Sequence, residues 1–119
     1  MIWEIVFHKE FAQWWSSQSE SLQDSMTMTL NLLEEHGTTL GRPYVDTIKG
    51  SALNNLKELR VQHQGLPYRL LFAFDPQRQA VVLVGGNKAG DKRWYKKNIS
   101  MAEKRYFEYL EETEEGTLV

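Results

Sequence analysis

Residues 56–85 read LKELRVQHQGLPYRLLFAFDPQRQAVVLVG, and this stretch decides the fold. Three apolar runs, Leu56 to Gln62, Pro67 to Phe74 and Ala80 to Gly85, are separated only by short polar segments. Gly65 marks the first turn, and Asp75-Pro76 supplies the first two positions of a type I turn. Connections this short join antiparallel neighbours, so the runs predict a meander. In the first run, alternation sends Leu56, Glu58 and Arg60 to one face and Lys57, Leu59 and Val61 to the other. The second run is apolar almost throughout, as a central strand covered on both faces would be. Its one charge, Arg69, needs either a partner or an open cleft.

Working toward the N-terminus, residues 38–50 (TTLGRPYVDTIKG) are rich in Gly, Pro and Thr and read as an irregular connection. Before them, Leu22, Met26, Leu30 and Leu33 form one apolar stripe of a helix from about Ser21 to His36, closed by Gly37. Phe11, Trp14 and Trp15 stripe a shorter helix over His8 to Ser19, and Ile2 to Phe7 alternates as a strand. The aromatics and methionines of this helical pair read as core. Working toward the C-terminus, residues 85–98 read as a loop dense in Lys and Arg. Ser100 and Glu103 have the spacing of a capping box, so a last helix is expected from there to about Glu112, followed by a frayed TEEGTLV tail. The order β-α-α-β-β-β-α argues an α+β fold with a mostly antiparallel sheet. No repeat or linker divides residues 1–119, which are expected to form a single domain.

The net charge of −2 conceals an asymmetry. Residues 1–41 carry −5, residues 42–97 carry +7 and residues 98–119 carry −4. A basic centre between acidic ends suits a polyanion on one face, although uneven surface charge would look the same. There is no cysteine, which excludes disulfides and Cys-based zinc sites and permits a reducing cytoplasm. The opening MIWEIVFHKEF lacks the regions of a signal peptide, and no apolar run reaches the length of a membrane span. A cytoplasmic protein is expected.

If Gln62 pairs with Pro67 across the first turn, Arg60 lies opposite Arg69. Like charges in that position repel unless an anion sits between them. Glu58, diagonal to Arg69, would serve from within, and a phosphate from outside. The third strand exits at Gly85-Gly86 beside Arg69, which brings the basic loop to the same place. One patch would then hold Glu58, Arg60, Arg69, Lys88, Lys92, Arg93 and Tyr95. Cleavage of an RNA phosphodiester needs these parts: a base for the 2′-hydroxyl, fixed cations for the phosphorane and help for the leaving 5′-oxygen. Lys57, Lys92, Arg93, Lys96 and Lys97 would add RNA affinity, and Trp94 and Tyr95 faces for unstacked bases. A structural ion cluster, a solvated loop and two aromatics pinning that loop would give the same pattern. His8 and His36 read as surface residues, while His63 in the first turn is a minor catalytic candidate. No His or carboxylate spacing suits a metal, so no metal and no cofactor are expected.

The stretch from LGRPY through LKELRV, YRLLFAFD and GGNKAGDKRWY resembles the HigB-like, phage-derived branch of the RelE/ParE toxin superfamily. The resemblance covers nearly the whole chain. It implies a RelE-like fold, with an N-terminal strand and helical hairpin on the sheet and a C-terminal helix. It implies the toxin of a type II toxin-antitoxin system: a metal-independent endoribonuclease cutting translated mRNA on the ribosome. It also implies a helix-turn-helix antitoxin as partner, through which alone DNA would be contacted. Arg60, Arg69 and Lys88 match phosphate-handling positions, and Tyr95 matches a tyrosine near the scissile bond. Glu58 stands where some members have lysine and would serve as a general base. Two positions depart: Leu56 replaces a catalytic lysine of RelE, and Ala89 replaces a loop arginine that Lys92 or Arg93 would have to supply. The acidic N-terminal region is the expected antitoxin surface. A ParE-like gyrase poison and a non-catalytic RNA- or protein-binding module are the alternatives.

Overall fold

A computed structural model describes residues 2–117, with side chains through residue 113. The elements are β1 (Glu4–Phe7), α1 (Lys9–Ser16), α2 (Glu20–His36), a 3-10 turn (Gly37–Thr39), β2 (Val45–Thr47), β3 (Leu56–His63), β4 (Leu66–Phe74), β5 (Gln79–Asn87) and α3 (Trp94–Thr117). The strands form one sheet in the order β1-β5-β4-β3-β2. Among the described strands β1 pairs with β5 in parallel, and the β5–β4, β4–β3 and β3–β2 pairs are antiparallel. This is the expected α+β arrangement.

The central strand β4 buries Leu70 and Phe72 toward α1 and α2, and Leu71 and Ala73 toward α3. Each face of the sheet therefore has its own core. Phe11, Met26 and Leu33, all fully buried, anchor the helical pair on one face. Burying a side chain of this size contributes roughly 1.5–3 kcal/mol. The hairpins follow their turn chemistry. Gln64 and Gly65 both take positive φ, as a two-residue hairpin turn requires, and His63 pairs with Leu66 across it. At the other turn the Asp75 carbonyl accepts from the Arg78 amide (3.3 Å), and Asp75 Oδ1 accepts from Gln77 and Gln79 amides. The β4–β5 register skips Leu83. That bulged residue's carbonyl accepts from Arg105 Nη1 at 2.8 Å, which ties α3 to the sheet.

Several expectations need correction. Residues 45–47 are a strand, not irregular chain, because they pair with β3 from Val45↔Leu59 to Thr47↔Lys57. The last helix begins at Trp94 instead of Ser100, since Asp91 Oδ1 accepts from the Arg93 amide and turns the chain into the helix. Ser100 is therefore mid-helix, and Glu103 accepts instead from Ser51 Oγ (2.7 Å) and the Ala52 amide. The helix also continues past Glu112 to Thr117, so most of the expected tail is helical, and its last two residues lie outside the described ones. His8 is buried, not superficial. Its Nδ1 accepts from the Glu10 amide (3.1 Å) at the start of α1, and burial together with nearby Arg105 holds the imidazole below its ordinary range.

Candidate active site

The β3–β4 register places Gln62 opposite Pro67 and Arg60 opposite Arg69. Two guanidinium groups thus meet across neighbouring strands, and Glu58 lies between them. Its Oε2 is 3.4 Å from Arg69 Nε and 3.8 Å from Arg60 Nε. Neither contact is aligned as a hydrogen bond, and both Nε groups are buried without one. The attraction is therefore Coulombic. Glu58 is only 5% exposed, and an isolated carboxylate there would cost several kcal/mol of desolvation. The two cations and the Tyr95 hydroxyl offset that cost.

Tyr95 reaches the cluster from the first turn of α3. Its hydroxyl is 2.9 Å from each Glu58 carboxylate oxygen and shares its proton with them. Burial and this carboxylate push the phenol above its ordinary range, partly countered by Arg69. Tyr95 is accordingly a neutral hydrogen-bond donor near pH 7. The Lys88 amide is fastened to the Pro67 carbonyl at 3.0 Å, and its Nζ stands 5.8 Å from the centre of the Tyr95 ring. Glu58, Arg60, Arg69, Lys88 and Tyr95 are thus neighbours.

Six residues outside the expected patch join it. Arg42 donates to Asp46 Oδ2 from Nε (3.2 Å) and Nη2 (2.9 Å), and Arg60 Nη2 donates to the same oxygen at 3.2 Å. The Arg42 hydrogen bonds, and after them the Thr47 amide donating to Asp46 Oδ1, hold the Asp46 carboxyl below the usual carboxylate range, with Arg60 adding a smaller Coulombic effect. Cations and carboxylates therefore alternate along the sheet: Arg42, Asp46, Arg60, Glu58, Arg69. Beside this chain Tyr44 and Gln62, with Pro43 and Pro67, complete an open groove of about 460 Å³ floored by Arg60 and Arg69. Strand alternation in Tyr44-Val45-Asp46 was the available sequence signal, because a buried Val45 puts its two neighbours on the arginine face.

Other expected site residues lie elsewhere. Lys57 points to the opposite face of the sheet, where its Nζ donates to Thr47 Oγ1 (3.2 Å), so the sheet separates it from Glu58. Trp94 offers no stacking face: it is 5% exposed and packs in the α3-side core. A Cβ on Gly86 would sit 2.9 Å from its indole nitrogen, so that glycine makes room for the ring. Arg93, Lys96 and Lys97 line a different open groove with Ser100, of about 660 Å³, and Lys92 is an exposed turn residue. His63 also faces the α2 side, where its Nδ1 is 2.8 Å from Ser25 Oγ, which removes it from the cluster. Leu56 is fully buried in the α3-side core and Ala89 is exposed. Among the described residues no group of three or more His, Asp or Glu is placed to hold a metal, and no helix is long and apolar enough to cross a membrane.

The chain matches the family described as Phage derived protein Gp49-like over residues 13–107. It is 43% identical to a Mycobacterium tuberculosis protein named as toxin HigB3, over 89% of this chain and 92% of that one. It is 39% identical to another named as toxin HigB2, over 90% of this chain and 54% of that longer protein. Two solved structures of Escherichia coli toxin RelE share the fold. A doubly arginine-substituted variant in the free state gives a TM-score of 0.64 at 14% identity, over 88% of this chain and 98% of that one. The isolated toxin gives 0.58 at 12% identity, over 82% and 96%.

Proposed function

This chain belongs to the phage-derived Gp49-like family and is a HigB-type toxin of RelE fold, and from that premise we propose that it cuts messenger RNA on the ribosome as the toxin of a toxin-antitoxin pair. The observation that carries this reading is the contact of the Tyr95 hydroxyl with Glu58 beside the opposed Arg60 and Arg69. Arg60 and Arg69 hold the scissile phosphate and stabilise the charge that grows on it as the 2′-oxygen attacks. Glu58 is too deeply buried to touch a ribose, so it acts through Tyr95. As the 2′-hydroxyl proton passes to the Tyr95 oxygen, the Tyr95 proton passes to Glu58. Lys88 supplies charge and a proton to the departing 5′-oxygen. The products are a 2′,3′-cyclic phosphate and a 5′-hydroxyl end, and the step needs no metal. Messages and ribosomes make the cytoplasm the place of action. A helix-turn-helix antitoxin covers the acidic α1–α2 face and silences the chain, which itself reads no DNA.

The test is to induce the chain in cells and map new 5′ ends on transcripts, beside an Arg69→Lys variant. Lysine keeps a charge next to Glu58 but loses the planar fork, so it spares the ion cluster that alanine would leave short of a cation. In-frame cuts in translated regions, reduced about 10²–10³-fold in the variant, are expected. Growth arrest with intact messages and broken DNA would make the chain a gyrase poison instead. Ribosome binding without cuts would make it a binding module.

A further inference from the structure

We propose that the groove beside the arginine pair is a base-binding subsite, in which Tyr44 stacks on an unpaired nucleobase adjacent to the phosphate held by Arg60 and Arg69. This deepens the ribonuclease reading and rests on it. The Tyr44 carbonyl accepts from the Arg60 amide at 2.7 Å, so Tyr44 continues the β2–β3 pairing. Val45 turns into the α2-side core, which sends Tyr44 to the face that carries Arg60. Tyr44, Arg60, Arg69 and Gly86 then form one row across the sheet. An aromatic ring stands at the open end of that row and two guanidinium groups in its middle.

Tyr44 is 41% exposed and belongs to neither core. Packing therefore does not account for a large aromatic at this place. The Arg60 side chain is 36% exposed and the Arg69 side chain 12%, so the cluster opens toward Tyr44. Pro43 and Pro67 give the groove stiff walls. Gln62, exposed in the same groove, offers an amide donor and acceptor to a base edge. The aromatic faces expected for stacking, Trp94 and Tyr95, are committed to the core and to Glu58. A single-stranded RNA requires what this row supplies, a flat ring for a base beside fixed cations for its phosphate.

The experiment measures binding of a labelled 2′-O-methyl hexanucleotide, which cannot be cut, by fluorescence anisotropy at several salt concentrations. The proteins are wild type, Tyr44→Ala, Tyr44→Phe and Arg60→Ala. Tyr44→Ala is expected to weaken binding about tenfold, and Tyr44→Phe to stay within about twofold of wild type. An abasic residue at one position of the oligonucleotide should erase the difference between wild type and Tyr44→Ala. Arg60→Ala should reduce the salt slope by about 0.7, whereas Tyr44→Ala leaves it unchanged. If Arg60→Ala weakens binding and Tyr44→Ala does not, the subsite is rejected while the phosphate reading stands. A Tyr44→Ala loss that no abasic position erases makes the ring structural and also rejects the subsite. Failure of the wild type to bind at low salt rejects both.

Discussion

Tyr95 and Tyr109 stand toward opposite ends of α3, and each brings its hydroxyl to a buried carboxylate, Glu58 on β3 and Asp75 in the β4–β5 turn. Near the C-terminal end the Tyr109 hydroxyl is 2.9 Å from Asp75 Oδ2 and 2.7 Å from Gln79 Oε1. The other Asp75 oxygen is occupied by the Gln77 and Gln79 amides, and among the described residues no cation forms a salt bridge with Asp75. Every group there is committed to closing the β4–β5 turn against the helix. At the N-terminal end the same donor and acceptor sit beside Arg60, Arg69 and an open groove. A tyrosine–carboxylate pair is thus a clasp in one place and, in the function we propose, a proton relay in the other. What separates them is positive charge and an open groove.

The largest expected effect tests that difference directly. Tyr95→Phe would remove the proposed relay and should slow cleavage of translated message by about 10²–10⁴-fold. Tyr109→Phe should leave cleavage within about twofold, because Tyr109 is remote from the groove. Parallel rates on the two variants would dissolve the distinction. A smaller effect is expected in stability. Tyr109→Phe loses one hydroxyl contact of a buried carboxylate and should lower the unfolding free energy by about 1 kcal/mol in urea titrations. The smallest effect is in its pH dependence. Burial and Asp75 push the Tyr109 phenol up to about 12 from an ordinary 10.0. The fold favours the protonated phenol, so this contribution is present below pH 10 and is lost as pH climbs toward about 12. Tyr109→Phe should flatten stability over that window. An unchanged slope in the variant would show that other groups set it.

The arginine pair was legible in the sequence because turn chemistry and two-sided burial of residues 66–74 leave little freedom of register. Alternation likewise placed Glu58 beside Arg60, and it already put Lys57 on the opposite face. The start of α3 was harder, since Ser100 and Glu103 imitate a capping box and compete with Asp91 for that role. That error also left Trp94 in a loop, where stacking on a base and pinning the loop to the core stayed equally open. The three-residue β2 was hidden in a stretch rich in Gly, Pro and Thr, and with it Tyr44 and Asp46. So short a strand has no periodicity of its own and forms because β3 offers it a ladder. His8 was misjudged for a related reason, its burial depending on the packing of α3 against α1, which no local pattern reports.

The most direct test is to offer purified protein a message on programmed ribosomes, with one cleavage-site nucleotide either natural or 2′-O-methylated, and to analyse the new ends. Cutting only of the natural message is predicted, with a 2′,3′-cyclic phosphate upstream, a 5′-hydroxyl downstream and strong suppression by Tyr95→Phe. Cutting of the methylated message at the same bond, or full activity in Tyr95→Phe, would contradict the relay from the 2′-hydroxyl through Tyr95 to Glu58.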